Sequence, residues 1–342
     1  MKCFFLIILL FLFVNCEKKE VIKPENKEKV IEIKKTNMFE KVLVVKFYTN
    51  LVGHRNFVYD LSFSKDGKYL ASGSADKYVK IWDTKTWQNI YNIKNEYNEI
   101  WGIPVAFSRD NKYLIIGAYE NLVIYDVNKN FTEIKRMFAH KKGIQSLYIS
   151  PSCEFVATAG VDGTISVFNI QDLDLVFSKK CHENEVWNIC ISEDNKYILS
   201  GGEDCYMKLW KFPTLDLITN IRYHELPIEY VRISYDGNLL MQASADSTIS
   251  IWKFNNYQAP YKILRGHIGS VLTAVFTRDN KYVVSGGDDD KIYIYNIENE
   301  EVISYFDLHY ADVMNISIDY ENKFMATASR DKTIKIWQLS YE

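Results

Sequence analysis

Six histidines are spread through 342 residues, and their spacing constrains the fold more than any other feature of the sequence. They stand at His54, His140, His182, His224, His267 and His309, with gaps of 86, 42, 42, 43 and 42 residues. The first gap is twice the others. The chain therefore repeats a unit of about 42 residues, and one copy has lost its histidine. Units of this length are single supersecondary modules that must stack on neighbours to bury their apolar faces.

Other residue types keep the same phase. An acid follows each histidine by 22 positions: Asp76, Asp162, Asp204, Asp246, Asp289 and Asp331. An aromatic follows by 28: Trp82, Phe168, Trp210, Trp252, Tyr295 and Trp337. Four positions before the acid stands a hydroxyl (Ser72, Thr158, Ser200, Ser285 or Thr327), except that Gln242 takes the place in the fifth blade-length copy. The copy without histidine lies between Trp82 and His140, with Asn98, Ile116, Glu120 and Tyr125 at the corresponding places. Between these marks, short alternating runs are separated by turn pairs such as Asp236-Gly237, Asp194-Asn195 and Asp279-Asn280. Period-two alternation marks strands, and Asx and Gly tolerate the positive φ of tight turns. In the first copy the pattern predicts strands at 58–63, 69–73, 78–82 and 89–93. Four short strands per unit and seven units predict an all-β, seven-bladed β-propeller, each blade a four-stranded antiparallel sheet.

The pairs Gly53-His54 and Trp82-Asp83, and Gly266-His267 with its in-phase acid and aromatic, resemble the WD-repeat (WD40) family. The resemblance extends over about residues 42–340. It implies that the histidine, hydroxyl, acid and tryptophan of a blade form a buried hydrogen-bonded set. A buried imidazole needs a partner at each nitrogen, and an indole N–H needs an acceptor. The complete sets are His54-Ser72-Asp76-Trp82, His182-Ser200-Asp204-Trp210 and His309-Thr327-Asp331-Trp337. In the third blade Phe168 cannot donate, and in the sixth Tyr295 replaces the indole. The second blade has lost most of the set and is expected to be the loosest.

Ring closure is also legible. The last copy reaches Ser340 after its third strand, while residues 42–48 sit where the fourth strand of a preceding blade would lie. Pairing these two segments closes the circle and removes open sheet edges. The propeller is thus expected over 39–342, with repeats at about 52–93, 94–135, 136–178, 179–220, 221–263, 264–305 and 306–340. Ahead of it, Lys2 precedes an apolar run from Phe4 to Val14, too short to span a bilayer but long enough for the core of a signal peptide. The run ends Phe13-Val14-Asn15-Cys16, which resembles the lipobox of bacterial lipoproteins, although Phe13 and Asn15 depart from the usual residues. Residues 1–15 are accordingly expected to be a lipoprotein-type signal, Cys16 the lipidation site, and 16–38, rich in Lys and Glu, a charged flexible tether. The expected product is exported and anchored to a membrane facing the periplasm or cell surface.

The chemistry available to such a chain is limited. All six histidines belong to the repeat, so none is left for a triad, a general base or a metal site. No nucleotide, zinc-protease or serine-hydrolase motif occurs. Asp288-Asp289-Asp290 reads as an acidic turn around the repeat acid. Cys181 and Cys205 flank a histidine and an acid that should touch, which leaves a disulfide between them open. No cofactor is expected. The net charge of −3 argues against a general nucleic-acid binder but leaves room for a local basic patch. What remains is surface. The turns around each histidine and each repeat acid should share one end of the propeller. They carry Phe57, Tyr59, Trp101, Tyr119, Glu185, Trp187, Glu203, Glu229, Asp288, Asp312, Met314 and Arg330. Aromatic anchors beside acids suit a basic, apolar protein or peptide partner. The expected function is a non-catalytic, monomeric interaction scaffold. The alternative is an envelope propeller enzyme, hydrolase- or lactonase-like, or a small-ligand binder that uses the central channel.

Overall fold

A computed structural model describes residues 43–95, 102–172 and 174–341. Seven four-stranded antiparallel sheets follow one another along the chain, each built from consecutive strands except the last. Blade 1 comprises Val58–Phe63, Tyr69–Ser74, Tyr78–Asp83 and Asn89–Lys94, within a residue of the bounds read from the sequence. The seventh sheet takes its outer strand from the start of the propeller. Leu43–Val52 pairs with Thr333–Tyr341, from Leu43 opposite Tyr341 to Val52 opposite Thr333. This strand runs past the expected end at residue 48, because pairing continues along the whole of its nine-residue partner after a bulge between Phe47 and Thr49. The predicted signal, tether and lipidation site at Cys16 lie outside the described residues, as do Trp101 and Asn98.

Within a blade, burial depends on strand position. The second strands, such as Tyr69–Ser74, Phe155–Gly160 and Phe324–Ser329, are buried at every residue after the first. They are covered on both faces by adjacent blades, so they read as continuous apolar and small residues rather than alternating ones. The outermost strand of blade 3, Leu175–Lys180, is exposed throughout. The blades approach closely where small residues permit. A Cβ on Gly73 would stand 1.8 Å from the Ile103 carbonyl oxygen. Blade 2 has the shortest inner strand, Val105–Phe107, only three residues long where the other blades have six.

The hairpin turns follow from local chemistry. Ser64 Oγ donates to Asp66 Oδ1 at 2.7 Å, and the same Ser/Thr-x-Asp bond recurs at Ser108, Ser192, Ser234 and Thr277. The next residue takes positive φ, supplied by Gly67, Asn111, Asn195, Gly237 and Asn280, and by Cys153 in blade 3. The two thiols that the sequence places close together do not pair: Cys153, Cys181, Cys190 and Cys205 are all free. Cys205 occupies the left-handed position after Asp204, with φ of 66°, and its Sγ lies 3.7 and 3.4 Å from the Glu203 and Glu225 carbonyl oxygens. Cys181 instead packs in an apolar cluster with Ile165 and Trp210.

Candidate functional site

Each blade that carries a histidine is fastened at the same place. In blade 4, His182 Nδ1 meets Asp204 Oδ1 at 2.8 Å and Nε2 meets Ser200 Oγ at 2.7 Å, while the Trp210 indole donates to the same hydroxyl at 2.9 Å. Blade 1 repeats this through His54, Asp76, Ser72 and Trp82, with contacts of 2.7–2.9 Å. Blade 7 does so through His309, Asp331, Thr327 and Trp337, at 2.8–3.0 Å. Burial is the largest single influence on Asp204 and opposes its ionisation, but the bond and charge of His182, the Lys208 ammonium and the Tyr206 amide together outweigh it and hold the carboxyl down to about 2. Burial pushes His182, His224 and His309 below the ordinary imidazole range. Both nitrogens of every imidazole are engaged, so these histidines staple the blade and are spent chemically.

Blade 5 departs from the column of hydroxyls that the sequence displays. Gln242 holds the expected place, is fully buried and leaves both amide atoms without a partner. The hydroxyl comes instead from Ser250, directly across the register from Gln242 on the third strand. His224 Nε2 meets Ser250 Oγ at 3.0 Å, and Trp252 Nε1 donates to it at 2.9 Å. The set is complete, with its oxygen moved one strand over. In blade 6 the Tyr295 hydroxyl bonds Ser285, whereas in blade 3 Thr158 meets His140 Nε2 at 2.8 Å and Phe168 has no N–H to give it.

The inner strands surround a channel of about 610 Å³. Its mouth, at the end carrying the histidine turns, is set by the second residue of the inner strands: Tyr59, Gln145, Trp187, Glu229 and Met314. The groups are bonded across blades. The Tyr59 hydroxyl donates to the Gln145 carbonyl at 2.9 Å, the Gln145 amide to Glu185 Oε2 at 2.9 Å, and the Trp187 indole to the same oxygen at 3.2 Å. Arg330 pairs with Asp312 at 2.8 Å and stands 6.0 Å above the Phe57 ring. Burial, with a smaller contribution from Asp288, pushes Glu229 up to about 7. Deeper in, burial pushes Asp60 up to about 6 against hydrogen bonds from the Val105 and Leu61 amides.

Of the residues singled out in the sequence, Phe57, Tyr59, Glu185, Trp187, Glu229, Met314 and Arg330 line the channel. Tyr119, Glu203, Asp288 and Asp312 do not. Tyr119, Glu203 and Asp288 directly follow second strands, one layer further from the inner wall, and from that turn Val161 and the long Arg330 reach the lining. Gln145 and Asp60 were missed. Gln145 had a signal, since it stands in phase with Tyr59, Trp187, Glu229 and Met314.

The WD domain, G-beta repeat family matches at residues 45–83, 131–169, 173–211, 215–253, 258–296 and 300–338, together more than half of the chain. The chain belongs to the WD-repeat family. The longest stretch without a match inside the propeller, 84–130, holds the outer strand of blade 1 and the first three strands of blade 2, which lacks the histidine. Among similar proteins is Protein HIR1 of Eremothecium gossypii, 28% identical over 144 residues, or 38% of this chain. Only 17% of the length of that relative is spanned. Protein hir-1 of Neurospora crassa is 40% identical over 78 residues, covering 23% of this chain and 8% of its own length. The serine-threonine kinase receptor-associated protein of Bos taurus is 22% identical over 289 residues, covering 84% of this chain and 68% of its own. These relatives are eukaryotic.

Proposed function

We propose that this WD-repeat protein is a non-catalytic docking platform whose partner seats on the channel mouth. The observation that carries the reading is the hydrogen-bonded rim. Tyr59, Gln145, Glu185 and Trp187, drawn from three blades, fix one another before any partner arrives. Preorganised aromatic and acidic groups are what interface hot spots require, because little side-chain freedom is left to lose on binding. The half-buried acids Glu185 and Glu229 favour a partner segment that presents a basic group beside apolar side chains. The name of the bovine relative, a receptor-associated protein, agrees with a role in association. Occupation of both nitrogens of all six histidines by the staples supports the absence of catalysis.

The N-terminal segment adds a proposal about place. The apolar run from Phe4 to Val14 followed by Cys16 supports export and lipid anchoring, with the charged stretch to residue 38 as spacer. Mass spectrometry of the mature N-terminus tests this point. Acyl chains on Cys16, lost together with membrane association in Cys16→Ala, are expected; an intact Met1 in the mature protein overturns it. The docking reading is tested separately with a Trp187→Ala, Glu185→Gln variant. It should lose bound partner while melting within a few degrees of the parent.

A further inference from the structure

The far end of the channel is built from different chemistry. The second residue beyond each inner strand falls there and contributes Arg109, Glu193, Tyr235, Arg278 and Tyr320 to the wall. One layer inside, the fifth residue of the inner strand supplies Tyr148 in blade 3 and Arg232 in blade 5. Arg109 is neutralised, since its two terminal nitrogens donate to the two Glu193 oxygens at 2.6 Å each. Arg232 and Arg278 are not. Among the described residues neither has a carboxylate within ion-pair distance.

Their partners are phenols. Arg232 donates one hydrogen bond, to the Tyr230 hydroxyl at 2.9 Å, and lies 5.4 and 5.3 Å from the Tyr148 and Tyr230 ring centres. Arg278 donates to the Asp319 carbonyl at 3.4 Å and lies 4.5 and 4.1 Å from the Tyr235 and Tyr320 centres. A guanidinium has five N–H donors in a planar fork, so most of the donors on both side chains are left for a ligand. Cations withdrawn from water without a contacting carboxylate are costly; Asp60 acts on Arg232 only from beyond ion-pair distance, and ring faces offset the rest in part. Of the acids lining the channel, Glu185 and Glu229 lie at the opposite mouth, Glu193 is paired with Arg109, and Asp60 lies deeper and acts on Arg232, so the hairpin end is the approach open to an anion.

The geometry points to a phosphate-binding site at this end of the channel, in which Arg232 and Arg278 supply the two positive charges that match a dianionic phosphate group. Two forks, each able to bind two oxygens, suit the several oxygens of a phosphate better than the two of a carboxylate. The tyrosine rings provide walls for whatever carries the phosphate. This site is independent of the docking mouth.

Titration calorimetry on the full chain tests it with inorganic phosphate, phenyl phosphate and, as the monoanion control, acetate, at matched ionic strength. Saturable binding of one or both phosphates is expected, with acetate at least tenfold weaker. Binding of phenyl phosphate alone would assign the site to monoesters, and binding of both to the free anion as well. Arg278→Gln and Arg232→Gln should each weaken binding at least tenfold. Lys65→Gln, at the in-phase exposed position of blade 1, should leave it unchanged. Without phosphate, Arg278→Gln should melt at or above the parent temperature, because it removes an uncompensated cation. If either glutamine variant fails to fold, Arg278→Lys keeps the charge, loses the fork and should still weaken binding. No saturable phosphate binding, equal binding of acetate, or full affinity in the arginine variants overturns the proposal.

Discussion

Removing a single hydroxyl from blade 5 should cost as much stability as a large core truncation. Ser250 Oγ is the partner of both His224 Nε2 and Trp252 Nε1, at 3.0 and 2.9 Å, and Ser250 is fully buried. Ser250→Ala leaves an imidazole nitrogen and an indole N–H unpaired in the interior. Each buried polar group so orphaned costs about 1–3 kcal/mol, so the loss is about 2–6 kcal/mol. In a body of this size 1 kcal/mol moves Tm by about 2 °C, which puts the expected drop at about 4–12 °C by thermal unfolding followed by circular dichroism. The rescue is the sharper half of the test. Gln242→Ser in the Ser250→Ala background returns a hydroxyl to the second strand, where blades 1, 4, 6 and 7 hold it in their staples, and removes an amide that has no partner. The double variant should recover at least half of the lost Tm. A drop of less than about 1 °C in Ser250→Ala, or a double variant no more stable than the single one, would refute the claim that the relocated oxygen fastens the blade.

Acid should act on the ring through two sets of staple groups. His182, His224 and His309 are held below the ordinary imidazole range, so the stability they contribute is present above about pH 6.5 and falls as pH drops below it. Asp204 is held at about 2 against an ordinary 3.8, so its contribution is full above 3.8 and is lost between there and 2. Glu229 and Asp60, pushed up to about 7 and about 6, act in the opposite sense between about pH 7 and 4, so the fall in Tm on acidification should show below about pH 4, and Asp204→Asn should flatten it. Gly73→Ala should destabilise by about 3 kcal/mol or more, since the new Cβ would stand 1.8 Å from the Ile103 carbonyl oxygen and must push blades 1 and 2 apart. A clear fall in the denaturant midpoint checks it.

What the sequence discloses and what it hides share one cause. A repeat is visible where each copy keeps the same residue type at the same offset. The histidine, acid and aromatic columns do so, and they locate the strands of blade 1 and the staples of blades 1, 4 and 7. The Ser250 substitution was hidden because the hydroxyl moved to a different column, across one register pair of the sheet, where blades 1, 4 and 7 carry Lys80, Lys208 and Lys335. The arginine-lined end was hidden for the opposite reason. Its column keeps no one residue type from blade to blade (Lys65, Arg109, Pro151, Glu193, Tyr235, Arg278, Tyr320), so it has no periodic signal and becomes a cluster only when the ring closes. The mouth was half legible. Residues such as Trp187 were placed there by their position just after the histidine turn, while Tyr119 and Glu203 were grouped with them although they belong to a turn set back from the channel.

The most direct test of the docking account is cross-linking mass spectrometry on the full chain with a partner retained from native membranes, comparing the parent with the Trp187→Ala, Glu185→Gln variant at equal Tm. The account predicts cross-links from the partner to residues beside the rim, such as Lys141, Lys142 and Lys332 in the turns of blades 3 and 7, and their loss in the variant. Cross-links that map to the outer strands or the hairpin end, and persist in the variant, would contradict it.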